Sequence, residues 1–319
     1  VMRLAIVALL ALLLVLIALP LWAVLSKSVQ DGDGNFVGLA NYWRYFSTPT
    51  LVASLWNSVG VALLSTAIVV PLAFGYAYAL TRTRMHLRGM FAAIALLPLF
   101  APSLLSAISF IYIFGNKGFL KSWLMGASVY GPIGIVLAQV FYCFPHAMKI
   151  LVAALRLSDG RLYEAAAAMG TRPTRVFRTV TLPGVRYGLI SAVFVVFTLV
   201  ITDFGIAKVI GGQFNVLATD AYKQVIGQQN FQMGAVVGLV LLVPAVIAFL
   251  VERYIQKRQV ALLSARAVPY EPKPDGVRDG VATAYCALIG LAIAAVLGVA
   301  IWASFVTYWP YNLSLSFKN

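Results

Sequence analysis

Charge is what this sequence has least of. Charged residues make up 11% of its 319 positions, and Asp and Glu together number only 10. A water-soluble globular domain carries about 25% charged residues. With 61% hydrophobic residues and a mean hydropathy of +0.90, the chain suits lipid rather than water. Its two histidines, His86 and His146, stand far apart. General acid–base catalysis needs clustered titratable groups. None is legible here, so no catalytic residue is expected and an integral membrane enzyme is the remote alternative. Cys143 and Cys286 lie inside apolar runs, where a cysteine behaves as a small apolar residue. No metal-ligand or disulfide spacing occurs, and no metal or cofactor is expected. The G-x-x-x-x-G-K-[ST] phosphate loop is also missing.

What is present is a series of long apolar runs, near 4–25, 53–80, 90–114, 131–154, 187–210, 233–251 and 281–305. A bilayer of roughly 30 Å needs ~20 residues of helix, so each run is long enough to span. The first run is flanked by Arg3 and reads as an uncleaved helix, because it exceeds a signal-peptide core. The fold class is therefore an all-α polytopic membrane protein. Proline should break the third span at Pro98 and Pro102, interrupt the second and sixth at Pro71 and Pro244, and kink the fourth at Pro145.

The formal net charge is +14, and its distribution sets topology. Arg82, Arg84 and Arg88 share one connection. Arg156, Arg161, Arg172, Arg175, Arg178 and Arg186 share another. Arg253, Lys257, Arg258 and Arg266 follow the sixth span. If seven spans alternate, all three connections face one side, and the positive-inside rule makes it the cytoplasm, with the N-terminus on that side. The opposite loops hold Lys27, Arg44, Lys117, Lys121, Lys208, Lys223 and Lys318. Topology accounts for the basicity, so no nucleic-acid partner is expected.

One polar insertion carries a motif. Leu162 to Met169 is rich in helix formers, and Gly170 stands where a helix ends in a left-handed residue. Pro173 suits the first turn of a second helix. Leu182-Pro183 should close that helix, because a residue preceding proline is pushed out of the helical region. Asp159 and Glu164 suit the positive end of the first helix. The spacing Glu-Ala-Ala-x3-Gly-x9-[Ile/Val]-x-Leu-Pro, read from Glu164, Ala165, Ala166, Gly170, Leu182 and Pro183, resembles the cytoplasmic coupling loop of ABC importer permeases.

Residues 53–251 extend this resemblance. Asp159-Gly160-Arg161-Leu162-Tyr163-Glu164, Val180-Thr181-Leu182-Pro183-Gly184, Thr202-Asp203-Phe204-Gly205 and Lys208-Val209-Ile210-Gly211-Gly212 look like the fused 2-aminoethylphosphonate permeases, relatives of the ferric-iron permeases. So does Val216-Leu217-Ala218-Thr219-Asp220. The resemblance implies a type I ABC importer transmembrane domain in the bacterial inner membrane. Its partners would be a cytoplasmic ATP-binding-cassette ATPase dimer, which hydrolyses ATP, a periplasmic substrate-binding protein and the lipid bilayer. The loop at 158–183 would transmit ATPase motion. The implied cargo is 2-aminoethylphosphonate, with ferric iron or another small solute as the alternative. An aspartate in lipid must face a cavity or a partner. Asp203 and Lys208 are therefore candidates for the translocation path, and a structural hydrogen bond or ion pair at Asp203 is the competing reading.

Internal echoes define the organisation. Trp302-Ala303 repeats Trp22-Ala23, and Tyr308-Trp309-Pro310-Tyr311-Asn312 echoes Asn41-Tyr42-Trp43-Arg44-Tyr45-Phe46. Ser316-Phe317-Lys318-Asn319 echoes Ser54-Leu55-Trp56-Asn57. The expected divisions are a first helix and external loop over 1–52, a permease core over 53–254, a linker over 255–280, and a seventh helix over 281–319. That last part would begin a second, fused permease unit after the first six-helix unit. The alternative is a seven-span protein whose last helix is an anchor.

Overall fold

A computed structural model describes residues 2–262, 268 and 270–316 of the chain. Arg266, Phe317, Lys318 and Asn319 lie outside the described residues. Backbone in hydrocarbon must satisfy its polar groups within the segment, which favours long helices. The order is α1 (Met2–Ser28), α2 (Ala40–Ser47), α3 (Pro49–Arg82), α4 (Arg88–Leu96), α5 (Ser103–Phe114), α6 (Pro132–Arg156), α7 (Gly160–Ala168), α8 (Pro173–Val176), α9 (Leu182–Thr202), α10 (Gly205–Ile210), α11 (Leu217–Tyr222), α12 (Phe231–Leu262) and α13 (Gly276–Phe305). Strands β1 (Val306–Tyr308) and β2 (Asn312–Leu315) pair antiparallel after α13. Among the described residues, six helices are long and apolar enough to cross a membrane, or seven if one sharply bent pair is a single broken span.

That bent pair is the third expected span. Arg88–Phe100 and Ser103–Phe114 meet at 101°, at Ala101 and Pro102. Pro98 sits in a tight 3-10 turn, and Pro102 is extended. Three other expectations need correction. Helices α3 and α12 run on through Pro71 and Pro244 without interruption. The expected fifth span, 187–210, is displaced: its helix ends at Thr202, Asp203 is extended, and α10 is a separate short helix. Leu182-Pro183 does not close a helix either. Leu182 is helical, and α8 passes through a π turn at Phe177–Thr181 into α9. The wider π turn shifts the carbonyl pattern where the proline N–H is missing, so the helix continues.

The linker expected over 255–280 is shorter, since α12 continues to Leu262 and α13 starts at Gly276, capped by Asp275. The aromatic echo does not hold in structure. Asn41 to Phe46 lies on α2, whereas Tyr308 to Asn312 lies in the β1–β2 hairpin. Trp22 lies six residues before the end of α1, and Trp302 three before the end of α13. A bridge between Gln30 and Phe36 follows the first of these helices, and the hairpin follows the second.

The chain forms two compact units. One comprises Val1–Val59 and Asn215–Ala245. Its core gathers Tyr45, Leu51, Leu217, Met233, Val236 and Val237. The Tyr45 hydroxyl donates to the Leu51 carbonyl at 3.2 Å, and burial with the nearby Asp220 pushes its pKa up to about 12. Ser58 accepts from the Leu217 backbone N–H at 2.7 Å, and Asn41 donates to the Ser28 and Gln30 carbonyls. The Asp31-Gly32-Asp33-Gly34-Asn35 turn is held by its own aspartate, whose Oδ1 accepts from Asn35 and Asp33 backbone N–H groups. Those donors hold the Asp31 carboxyl below its ordinary range.

The other unit comprises Gly60–Phe214 and Val246–Asn319. Helices α6 and α9 form its central pair. They approach so closely at Gly188 that a Cβ there would lie 2.2 Å from the Ala154 Cβ. Small residues at such crossings let membrane helices pack tightly. Tyr76 fixes the neighbouring helices, donating to the Phe91 carbonyl at 2.8 Å with its ring edge-on to Phe144. Tyr285 of α13 lies against Gly75 and donates to the Leu72 carbonyl.

Candidate functional site

The polar insertion folds around one short helix. The Asp159 carboxylate accepts from the Arg161 backbone N–H at 3.0 Å, capping the start of α7. Its far end is a Schellman turn: Thr171 N–H donates to the Ala166 carbonyl and Gly170 N–H to the Ala167 carbonyl, both at 3.0 Å. Gly170 holds φ +63°, a region that favours glycine, yet a Cβ there would meet no atom within 4 Å. Glycine is needed there by backbone geometry and not by crowding.

The helix has two faces. Gly160, Tyr163 and Ala166 recur every three residues and are buried. Leu162, Glu164, Ala165, Met169 and Gly170 are exposed. Of the residues singled out by sequence, Ala166 is therefore structural, while Glu164, Ala165 and Gly170 face outward. Leu182 and Pro183 are also exposed, on α9. The Tyr163 hydroxyl joins the two segments by donating to Thr181 Oγ1 at 3.1 Å.

Sequence reasoning missed the group that holds this helix in place. Arg82, at the end of α3, is only 4% exposed. Its guanidinium donates to the Leu155 carbonyl and Ser158 Oγ at 2.6 Å each, and to the Tyr163 hydroxyl at 3.3 Å. It lies 4.9 Å from the Tyr163 ring centroid and 5.0 Å from that of Tyr270. A planar cation can stack on two rings while its edge donates hydrogen bonds, which a lysine cannot do. The segment before α13 completes the arrangement: the Val268 carbonyl accepts from Gly160 N–H at 2.8 Å, and the two tyrosine rings are 4.4 Å apart. In sequence, Arg82 was one of three arginines in a basic connection. Its partners come from distant segments, and only its place at a helix end gave any signal.

At the opposite end of α6 and α9, Asp203 is half-buried and well supplied with donors. Its Oδ2 accepts from Gln139 Nε2 at 3.1 Å and from the Ile206 backbone N–H at 2.9 Å. Gln139 is buried on α6. Asp203 thus starts α10 and clasps it to α6. Lys208 is exposed on α10. His146 is half-buried, its Nδ1 3.3 Å from the Tyr142 carbonyl. Among the described residues no group of three or more His, Cys, Asp or Glu is placed to hold a metal ion.

The structure is a polytopic helical bundle in which a capped polar helix joins two of the apolar helices. The chain belongs to the family of binding-protein-dependent transport system inner membrane components, which matches residues 67–260. It is 28% identical over 241 residues to the molybdenum transport system permease protein ModB of Mycobacterium bovis, covering 75% of this chain and 88% of that one. It is 25% identical over 280 residues to the ferric transport system permease protein FbpB of Actinobacillus pleuropneumoniae. That match covers 83% of this chain but 40% of the ferric protein's length. Two structures of a bacterial alginate ABC transporter share the fold, with TM-scores of 0.62 and 0.60 at 13% and 14% identity. They cover 82% and 83% of this chain and 96% of theirs, and the second contains an alginate-bound periplasmic protein. The chain is thus a permease component of an ABC importer and a multi-pass inner membrane protein.

Proposed function

We propose that residues 158–183 form the coupling loop of this permease. In that reading the exposed side of α7, with Glu164, Ala165 and Gly170, docks on one subunit of an ATPase dimer, and Leu182-Pro183 carries the movement into α9. The single observation behind this is the two-faced helix: its inner face is fastened by Tyr163 and Arg82, while Leu162 and Met169 stand exposed on the other. The basic connections support a cytoplasmic loop and N-terminus.

The imported solute is 2-aminoethylphosphonate, delivered by a periplasmic binding protein. The sequence resemblance at 159–164, 180–184 and 202–220 supports this cargo. In this reading Asp203 and Lys208 line the translocation path, a carboxylate and an ammonium to meet a zwitterion. Ferric iron is the second reading, favoured by the similarity to FbpB. The shared Trp-Ala step of Trp22-Ala23 and Trp302-Ala303, each near the end of a long apolar helix, supports a second permease unit fused beyond α13. A strain lacking the intact gene, grown on 2-aminoethylphosphonate as sole phosphorus source, tests the cargo. Failure to grow, cured by the gene, is expected. Normal growth there with a defect under iron limitation would transfer the assignment to ferric iron.

A further inference from the structure

Two adjoining cavities open at the basic end of the bundle. The smaller, about 340 Å³, is lined by Arg82, Arg88 and Arg156 with Tyr270 and Pro272, and no acidic residue lines it. The larger, about 580 Å³, shares Arg88 and Arg156. It runs along apolar side chains that include Leu96, Val152 and Leu157, with Lys149 at its wall. The buried Arg82 charge bonds only to neutral groups among the described residues. No ion pair involving Arg88, Lys149 or Arg156 forms among the described residues either.

We propose that this pair of cavities binds one anionic phospholipid. Its phosphate sits among the three arginines, and an acyl chain lies in the apolar groove. A cationic pocket joined to an apolar groove fits a molecule with a charged head and a greasy tail. A basic pocket between helices at the cytoplasmic face is a recognised setting for such headgroups. A free anion would leave the groove unfilled, and a zwitterionic lipid would bring an ammonium toward three guanidinium groups. Bound there, the lipid touches Arg82 and Tyr270 and so braces the inner face of α7. The inference rests on the orientation adopted above, which puts the arginines in the inner leaflet.

Native mass spectrometry of the delipidated, detergent-purified full-length chain tests it, with dioleoyl phosphatidylglycerol and dioleoyl phosphatidylcholine as probes. Phosphatidylglycerol should bind more tightly, and Arg88→Gln with Arg156→Gln should weaken it roughly 30-fold, taking two contacts at the usual strength. Both arginines are at least partly exposed, so melting temperature should hold. Lys149→Gln provides a second, milder variant that should weaken the same lipid less. Equal affinity for the two lipids, or an unchanged double variant, would overturn the proposal. Displacement by inorganic phosphate at equimolar concentration would show a free-anion site instead. An uptake defect in the double variant that is the same in vesicles of either lipid would assign the groove to the transported solute. Lipid binding is measured on the chain alone, so a failed transport assignment leaves its result standing.

Discussion

Helices α6 and α9 share a close crossing at Gly188 but end in unlike places. At one end, α7 turns large apolar side chains outward and is fastened only from behind, by Tyr163 and Arg82. At the other, the half-buried Asp203 carboxylate is held through Oδ2 by Gln139 and the Ile206 backbone. The first arrangement leaves a surface free to meet another protein. The second consumes its polar groups in holding the fold. Substitutions should therefore separate function from stability at the α7 end and join them at the Asp203 end.

Arg82→Ala should have the largest effect. It removes the cation between two rings and three hydrogen bonds, to the Leu155 carbonyl, Ser158 Oγ and the Tyr163 hydroxyl, costing about 3 kcal/mol and lowering the melting temperature. Arg82→Lys should fall between, because it keeps the charge but not the fork. Gly170→Val should cost about 1–2 kcal/mol from the left-handed backbone alone, since no neighbour crowds the site. Membrane abundance should persist while ATP-driven uptake is lost. Normal uptake by that variant would remove Gly170 from coupling.

Asp203→Ala should cost about 1–2 kcal/mol as the start of α10 loses its acceptor. Asp203→Asn retains an acceptor and should stay close to wild type in melting. If its uptake affinity and rate are also unchanged, Asp203 is a clasp only and not part of the path. The smallest change in stability belongs to Leu162→Ser, within about 0.5 kcal/mol because the side chain is exposed. It should nonetheless reduce co-purification with the ATPase.

Much of this was legible in the sequence, for identifiable reasons. Apolar runs long enough to cross a bilayer have few alternatives to helix, so five of the seven emerge as long helices near their expected places, while the third is sharply bent and the fifth displaced. Gly170 was legible because the end of a helix needs a residue tolerant of positive φ, and strong helix formers precede it. Pro98 and Pro102 marked a real break because their segment adopts a tight turn and an extended residue there. The same reasoning failed at Pro183. There a π turn over Phe177–Thr181 absorbs the missing N–H and lets the helix continue. Local preference cannot foresee that a neighbouring turn will accommodate a proline.

Arg82 was illegible for a different reason. Topology explains every arginine in its connection equally well, and only the fold brings Tyr163, 81 residues onward, to its side. Asp203 was half legible. Its cost in lipid demanded a partner, but Gln139 carries no distinguishing sequence pattern. The aromatic echo at Tyr308-Trp309 misled because short aromatic strings at membrane interfaces recur on different backbones.

The most direct test of the coupling account is solute-stimulated ATP hydrolysis by the full-length permease reconstituted with its ATPase and binding protein. Wild type and Leu162→Ser with Met169→Ser would be compared at equal melting temperature. The account predicts that the double variant folds normally, binds lipid normally and loses stimulation. Full stimulation in that variant would show that the exposed face of α7 does not carry the coupling.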